Sequence, residues 1–305
     1  MGKIAFVFAG QGAQHPGMGQ ELCEISPAAK AVFHRLDGIR PGTLQQCFSG
    51  TGEELSETKN TQPCMFAVEM AAAAALTEAG IRADVAAGFS LGELAALTYA
   101  GAADLEAGFR LVCRRGLLMQ EAAEAQPTAM VAVLRLEPTA VEALCQRFEQ
   151  VYPVNYNCPG QIAVAGLAAP LKEFQDAVKA AGGRAVPLPV RGGFHSPFMA
   201  SAAEAFAREL DEYSLAVPRI PLYSNCSGAP YEGEMKPLLA RQIAAPVRWE
   251  QIVRHMIGEG VDTFIELGPG QTLCGLIRKI DGQVRTFSAA NRAGLEQIVA
   301  EVQGC

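Results

Sequence analysis

Apolar positions along the chain follow two rhythms. Short runs of aliphatic and aromatic residues at 3–8, 85–89, 220–224, 263–267 and 284–287 have the character of buried strands. Between them, segments at 64–79, 91–99, 105–122, 201–212, 249–259 and 272–280 place apolar residues at helical spacing. Strands alternating with helices predict an α/β domain with a mainly parallel sheet, because parallel neighbours need a crossover connection. Ser201-Ala-Ala-Glu204 has the spacing of a reciprocal capping box and predicts a helix start there.

The rhythm changes between 128 and 190. Strand 129–135, helix 139–150, strand 162–165, helix 171–181 and strand 184–190 suggest a β-α-β-β-α-β-like order and hence a small ferredoxin-like unit. Signals of the first kind resume after it, so the unit reads as an insertion. The expected fold is α/β. Residues 1–127 and 191–305 form an α/β-hydrolase-like domain with a parallel sheet core, and 128–190 form the subdomain. No internal repeat or low-complexity linker interrupts the pattern.

With 305 residues, half of them apolar, the chain can bury a substantial core. Its longest apolar stretch, 70–76, falls far short of the roughly 18 to 20 residues of a membrane helix. The apolar N-terminal run ends in Gly10-Gln-Gly12 rather than a cleavage site and reads as a first strand, not a signal peptide. The nine cysteines are scattered, without a C-x-x-C pair or a histidine at ligand spacing, so neither zinc nor redox chemistry is indicated. A net charge of −7 argues against broad nucleic-acid binding. The expectation is a soluble, cytoplasmic monomer without metal or cofactor.

The strongest local motif is Gly88-Phe89-Ser90-Leu91-Gly92, a G-x-S-x-G between an expected strand and an expected helix. In such a turn the serine hydroxyl sits at a helix N-terminus, and the N–H of Leu91 can face a developing oxyanion. A structural turn with an inert serine is the lesser alternative for this segment.

A serine nucleophile needs a base, and there are four histidines. His34 and His255 follow helical patterns beside arginines and read as solvated positions. His15, in Gln11-Gly-Ala-Gln-His-Pro-Gly17, and His195, in Arg191-Gly-Gly-Phe-His-Ser-Pro-Phe-Met199, both stand in small-residue loops. His195 is the better candidate and His15 the alternative.

Eight ordered segments together resemble the malonyl-CoA:acyl carrier protein transacylase family, over essentially the whole chain. They are Phe8-Ala-Gly-Gln-Gly-Ala-Gln14, Thr61-Gln-Pro63, the serine motif, Arg114-Arg-Gly-Leu-Leu-Met-Gln-Glu121, Asn155-Tyr-Asn-Cys-Pro-Gly-Gln161, Gly193-Phe-His-Ser-Pro197, Pro246-Val-Arg-Trp249 and Glu266-Leu-Gly-Pro-Gly270. The resemblance implies Ser90 as nucleophile and His195 as base. The histidine would be oriented by a backbone carbonyl near Arg248 instead of an acid. It further implies an oxyanion hole from the N–H groups of Gln11 and Leu91, with Gln62, Met119, Asn155 and Asn157 lining the pocket.

Arg115 then acquires a role. By itself it is a helix arginine beside Arg114, but in register with the family motif its guanidinium would grip the free carboxylate of a malonyl group through paired bonds. The implied substrates are malonyl-CoA and an acyl carrier protein, joined by ping-pong transfer through an acyl-Ser90. The carrier brings its own phosphopantetheine. Lys179, Arg184 and Arg191, near the catalytic loop in sequence, are candidates for docking an acidic carrier, and Arg278-Lys279 is a second basic pair. The chain departs from the family at Phe89, where histidine is usual, which bears on acyl choice. A polyketide-synthase acyltransferase, a serine thioesterase and a non-catalytic carrier-binding subunit are the alternatives.

Overall fold

The computed structural model describes residues 2–303. The chain opens with β1 (Lys3–Phe8), then helices α1 (Gln20–Ile25), α2 (Pro27–Ile39), α3 (Thr43–Ser49), α4 (Gly52–Ser56) and α5 (Thr58–Glu78). There follow β2 (Val85–Gly88), α6 (Gly92–Tyr99) and α7 (Leu105–Glu124). A second group comprises β3 (Thr128–Leu134), α8 (Pro138–Cys145), β4 (Val151–Cys158), β5 (Gln161–Leu167), α9 (Ala168–Ala180) and β6 (Arg184–Pro187). The chain closes with α10 (Ala200–Asp211), α11 (Lys236–Gln242), α12 (Trp249–Gly258), β7 (Val261–Leu267), α13 (Thr272–Ile280), β8 (Arg285–Ser288) and α14 (Arg292–Gln303).

β2, β1, β7 and β8 form, in that order, a parallel sheet. Successive side chains of a strand face opposite ways, and β1 feeds two cores accordingly. Phe6 and Phe8 join the core that holds α5, whereas Ala5 and Val7 pack with α12 and α13. On α12, Trp249, Ile252, Val253 and Met256 make one apolar stripe at helical spacing. α5 differs: most of its length is buried on all sides, and its Ala71–Ala75 run keeps it slim enough for neighbours to close around it. α7 comes closest at Gly116, where a Cβ would lie 2.9 Å from the Thr58 carbonyl oxygen. That approach sets Arg115 against the first turns of α5.

The second sheet is antiparallel, in the order β4-β5-β3-β6, with α8 and α9 on one face. Val131, Ile162 and Val164 point to those helices, while Met130, Ala163 and Ala165 point to the first core. The fold is therefore α/β, with a parallel-sheet portion and a smaller ferredoxin-like portion, as the sequence pattern predicts.

Local differences have local causes. The run at 220–224 forms a single bridge to β2, Ala86 with Leu222, because Pro221 has no N–H to extend a ladder and a tight turn follows at Ser224. β6 stops at Pro187, short of 190: Leu188 still donates to the Met130 carbonyl at 2.9 Å, but Pro189 has no N–H and the Val190 N–H turns back to Leu188 at 2.8 Å. The Ser201–Glu204 capping box does not form: α10 begins at Ala200, after a 3₁₀ turn capped by Ser196, so Ser201 is already inside the helix. A reciprocal box exists instead at Thr51 and Glu54. β4 carries Pro153 and a register shift, both tolerated at a sheet edge.

Candidate active site

The serine motif forms a tight elbow. β2 ends at Gly88, Ser90 takes a left-handed φ of 56°, and α6 starts at Gly92. A non-glycine residue rarely holds this conformation, and here the surroundings enforce it. A Cβ on Gly88 would sit 1.9 Å from the Gly92 carbonyl, and one on Gly92 would sit 2.3 Å from the Phe8 carbonyl oxygen. Asn225 clamps the turn: its Oδ1 accepts the Ser90 N–H at 2.8 Å and its Nδ2 donates to the Gly88 carbonyl at 2.6 Å.

His195 meets the serine from the loop after β6, also with a positive φ, of 60°. Its Nε2 lies 2.7 Å from Ser90 Oγ and its Nδ1 lies 2.9 Å from the Gln242 carbonyl oxygen. A carbonyl only accepts, so Nδ1 carries the proton and Nε2 is left bare to take one from the serine. Burial pushes the imidazole down to about 4, helped by the positive Arg115 and opposed by the backbone carbonyls of Gln242 and Ala245. It is neutral at physiological pH.

The orienting carbonyl expected near Arg248 is thus Gln242's. Arg248 sits at the start of α12, where its carbonyl accepts the Ile252 N–H at 3.1 Å. Gln242 ends α11, and carbonyls of a last helical turn have no intrahelical partner.

Arg115 is 1% exposed, in contrast to Arg114, which faces outward and pairs with Glu209 at 3.3 Å. Arg115 Nη1 donates to Gln62 Oε1 at 2.8 Å, and Nη2 donates to Gln242 Oε1 at 2.7 Å and to Ser90 Oγ at 3.2 Å. No salt bridge neutralises it among the described residues. Burial lowers its proton affinity to about 10, partly offset by Glu93.

Glu93, on α6, is fully buried. Its Oε1 accepts from Tyr231 Oη and from the Asn225 N–H at 3.2 Å, and its Oε2 accepts from Gln242 Nε2 at 2.9 Å. Burial nevertheless pushes its carboxyl up to about 7, against those bonds and the charge of Arg115. Glu93, Gln242, Asn225 and Tyr231 were not among the expected site residues. Only Glu93 leaves a sequence trace, following the serine motif directly.

Ser90 and His195 border a cavity between the two sheets, lined also by Gln11, Leu91, Gln62 and Met119. Asn155 and Asn157 reach it from β4, and Phe89, Met130, Leu188 and Phe194 supply apolar wall. Among the described residues the N–H groups of Gln11 and Leu91 have no protein acceptor, and the Oδ1 atoms of Asn155 and Asn157 have no donor. Phe89 packs edge-on against Trp249, ring centroids 5.5 Å apart. His15 lies elsewhere, with its Nδ1 at Pro16 and its ring in a separate cleft beside Gly270. His34 is exposed on α2, and His255 stacks edge-on with Tyr223. Lys179 and Arg184 are exposed on α9 and β6, Arg191 lines a cleft adjoining the cavity at Val190, and Arg278 and Lys279 close α13.

A part-buried serine on an elbow, paired with a buried histidine and beside a buried guanidinium, defines a site for acyl-transfer chemistry. The profile of the acyl transferase domain family matches residues 5–297. A malonyl CoA-acyl carrier protein transacylase of Bacillus subtilis is 38% identical over 304 residues, covering 97% of this chain and 96% of that protein. The crystal structure of the transacylase of that name from Clostridium perfringens superposes with a TM-score of 0.96 at 36% identity, covering 99% and 98% of the two chains. A malonyl-transacylase solved with its type II polyketide-synthase acyl-carrier protein gives 0.94 at 32% identity, covering 98% and 99%. The chain belongs to the malonyl CoA-acyl carrier protein transacylase family.

Proposed function

We propose that the protein is a malonyl-CoA:acyl carrier protein S-malonyltransferase of fatty-acid biosynthesis. The observation that carries this reading is Arg115, a guanidinium buried within hydrogen-bond reach of the Ser90 hydroxyl. An acyl group on Ser90 whose far end carries a carboxylate places that charge where a cation already waits. A neutral acyl group offers it nothing.

In the first half-reaction Ser90 Oγ attacks the thioester carbonyl while His195 Nε2 takes its proton, and the N–H groups of Gln11 and Leu91 receive the oxyanion. Each such donor is worth a factor of roughly 10² to 10³ in rate. The imidazolium then protonates the departing CoA thiolate. In the second half the carrier's phosphopantetheine thiol repeats the sequence in reverse, with His195 first as base and then as acid. Donor and product are both thioesters, so the exchange runs in either direction. The unpartnered amide oxygens of Asn155 and Asn157 and the side chains of Gln62 and Met119 complete the pocket.

The division into 1–127 with 191–305 and an inserted 128–190 then has a functional sense: the larger part carries nucleophile and base, and the smaller roofs the cavity. Lys179, Arg184 and Arg191 form the docking surface for an acidic carrier. The likeness to a transacylase solved with a polyketide carrier favours, as a second reading, service to a polyketide synthase. Mass analysis of holo carriers from the two pathways, each incubated with malonyl-CoA and this protein, tests the function and separates the readings. Absence of malonyl-carrier in both refutes it.

A further inference from the structure

Behind the catalytic cavity, joined to Arg115 through Gln242, lies a carboxyl group that the transfer chemistry leaves unused. Glu93 is fully buried, faces no solvent and touches no reacting atom. Its position is nevertheless specific. One oxygen accepts from Tyr231 and Asn225, the other from Gln242 Nε2, and the opposite end of the same Gln242 amide accepts from Arg115 Nη2 at 2.7 Å. Glu93 and Arg115 are therefore an anion and a cation separated by a single side-chain amide. Acceptors at Glu93 and at the Ser90 carbonyl, 2.7 Å from Nε2, fix that amide's direction.

We propose that Glu93 is a charge-balancing positioning residue, which counters Arg115 while the site is empty and takes up a proton when an acyl carboxylate occupies that arginine. The proposal rests on the malonyl reading of the site. Without substrate, Arg115 and Glu93 together bring no net charge into the interior. A malonyl carboxylate adds one negative charge at the guanidinium, and the interior then holds two anions for one cation. Leaving the second anion uncompensated in the interior is strongly unfavourable. Protonating Glu93 restores neutrality, and its carboxyl can still accept from Gln242 and the Asn225 N–H while the new O–H donates to Tyr231 Oη, a hydroxyl that can accept as well as donate.

The groups facing Glu93 are consistent with this. Among the described residues Arg115 on α7 is the cation that acts on it, while Tyr231 and Cys226 remain protonated at neutral pH because burial pushes both upward. Its carboxyl is already raised to about 7 in the empty site, so little further change commits it to the protonated form. When Arg115 is engaged by the substrate, its attraction for Glu93 is shared and the carboxyl moves further up. An acetyl group carries no charge and leaves Glu93 unchanged.

The test is proton uptake in weakly buffered solution with a pH indicator as Ser90 is loaded from malonyl-CoA, with acyl-enzyme counted in the same sample by intact mass. The expected uptake per acyl group is a fraction of a proton that grows from pH 6 to pH 7, because more of Glu93 is ionised in the free protein at the higher pH. Glu93→Gln, measured beside it to subtract ionisation of the released CoA thiol, should show none of this pH-dependent uptake. An infrared difference spectrum of the wild-type protein, loaded minus free, should contain a new protonated-carboxyl band, a readout that stands even if the variant fails to fold. Acyl-enzyme formed without proton uptake and without that band overturns the role of Glu93 and leaves the transferase intact. Uptake undiminished in Glu93→Gln overturns it as well. Absence of any acyl-enzyme in the wild type refutes the transferase and this inference together.

Discussion

Arg115 Nη2 lies 3.2 Å from Ser90 Oγ, so the residue proposed to select the acyl group and the residue proposed to carry it are in contact before substrate arrives. Arg115→Ala should lower malonyl kcat/KM by about 2 to 5 kcal/mol in transition-state terms, the loss of one partner of a buried charge pair. Acetyl transfer should be retained or improved relative to malonyl. Competition between malonyl-CoA and acetyl-CoA for Ser90 checks this. An unchanged preference for malonyl would remove Arg115 from the acyl site.

His195 should act as a base well below the range of an ordinary histidine. Its folded value is lowered to about 4, and the neutral form is the one that accepts the serine proton. Acylation should therefore persist as pH falls past 6.5 and decline only as pH approaches about 4. A single-turnover pH profile with its acid limb near 6.5 would contradict this. His195→Ala should slow acylation strongly at every pH.

Gly88→Ala tests the elbow as structure. The added methyl would stand 1.9 Å from the Gly92 backbone, which cannot yield without moving Ser90. A loss of at least about 3 kcal/mol in unfolding free energy is expected, together with loss of acylation. Denaturant unfolding beside the wild type measures it, and a stable, active variant would show that the turn has slack.

Carrier docking predicts a different signature. Arg184→Glu should raise the KM for the carrier, more so at low salt, and spare acylation by malonyl-CoA. Half-reactions measured separately distinguish this from damage to the fold, which would depress both.

The alternation of strand and helix signals foretold the architecture because each buried element carries its own period, and the ferredoxin-like order was visible for the same reason. Where proline interrupted a run, at 189 and 221, pattern overestimated pairing, since a missing N–H ends a ladder that hydrophobicity alone would continue. Ser90, His195 and Arg115 were legible because each sits in a motif. Gln242 was not. Its backbone carbonyl holds the histidine and its amide joins Arg115 to Glu93, yet carbonyls belong to every residue, and nothing in Arg241-Gln-Ile marks this one. Asn225 and Tyr231 were hidden likewise, their partners lying more than a hundred residues away.

Ser90→Ala should abolish acyl-enzyme formation without unfolding the protein, since Asn225 holds the turn through its backbone, and His195 and Arg115, which lose the hydroxyl, keep their bonds to Gln242 and Gln62. The most direct measurement is the intact mass of wild-type and Ser90→Ala protein after brief exposure to malonyl-CoA with no acceptor present. One malonyl adduct is expected on the wild type, stable for the time of the measurement and discharged by holo carrier, with none on the variant. A malonyl adduct persisting in Ser90→Ala would contradict the assignment of the nucleophile, and rapid loss of the wild-type adduct to water would make the protein a hydrolase.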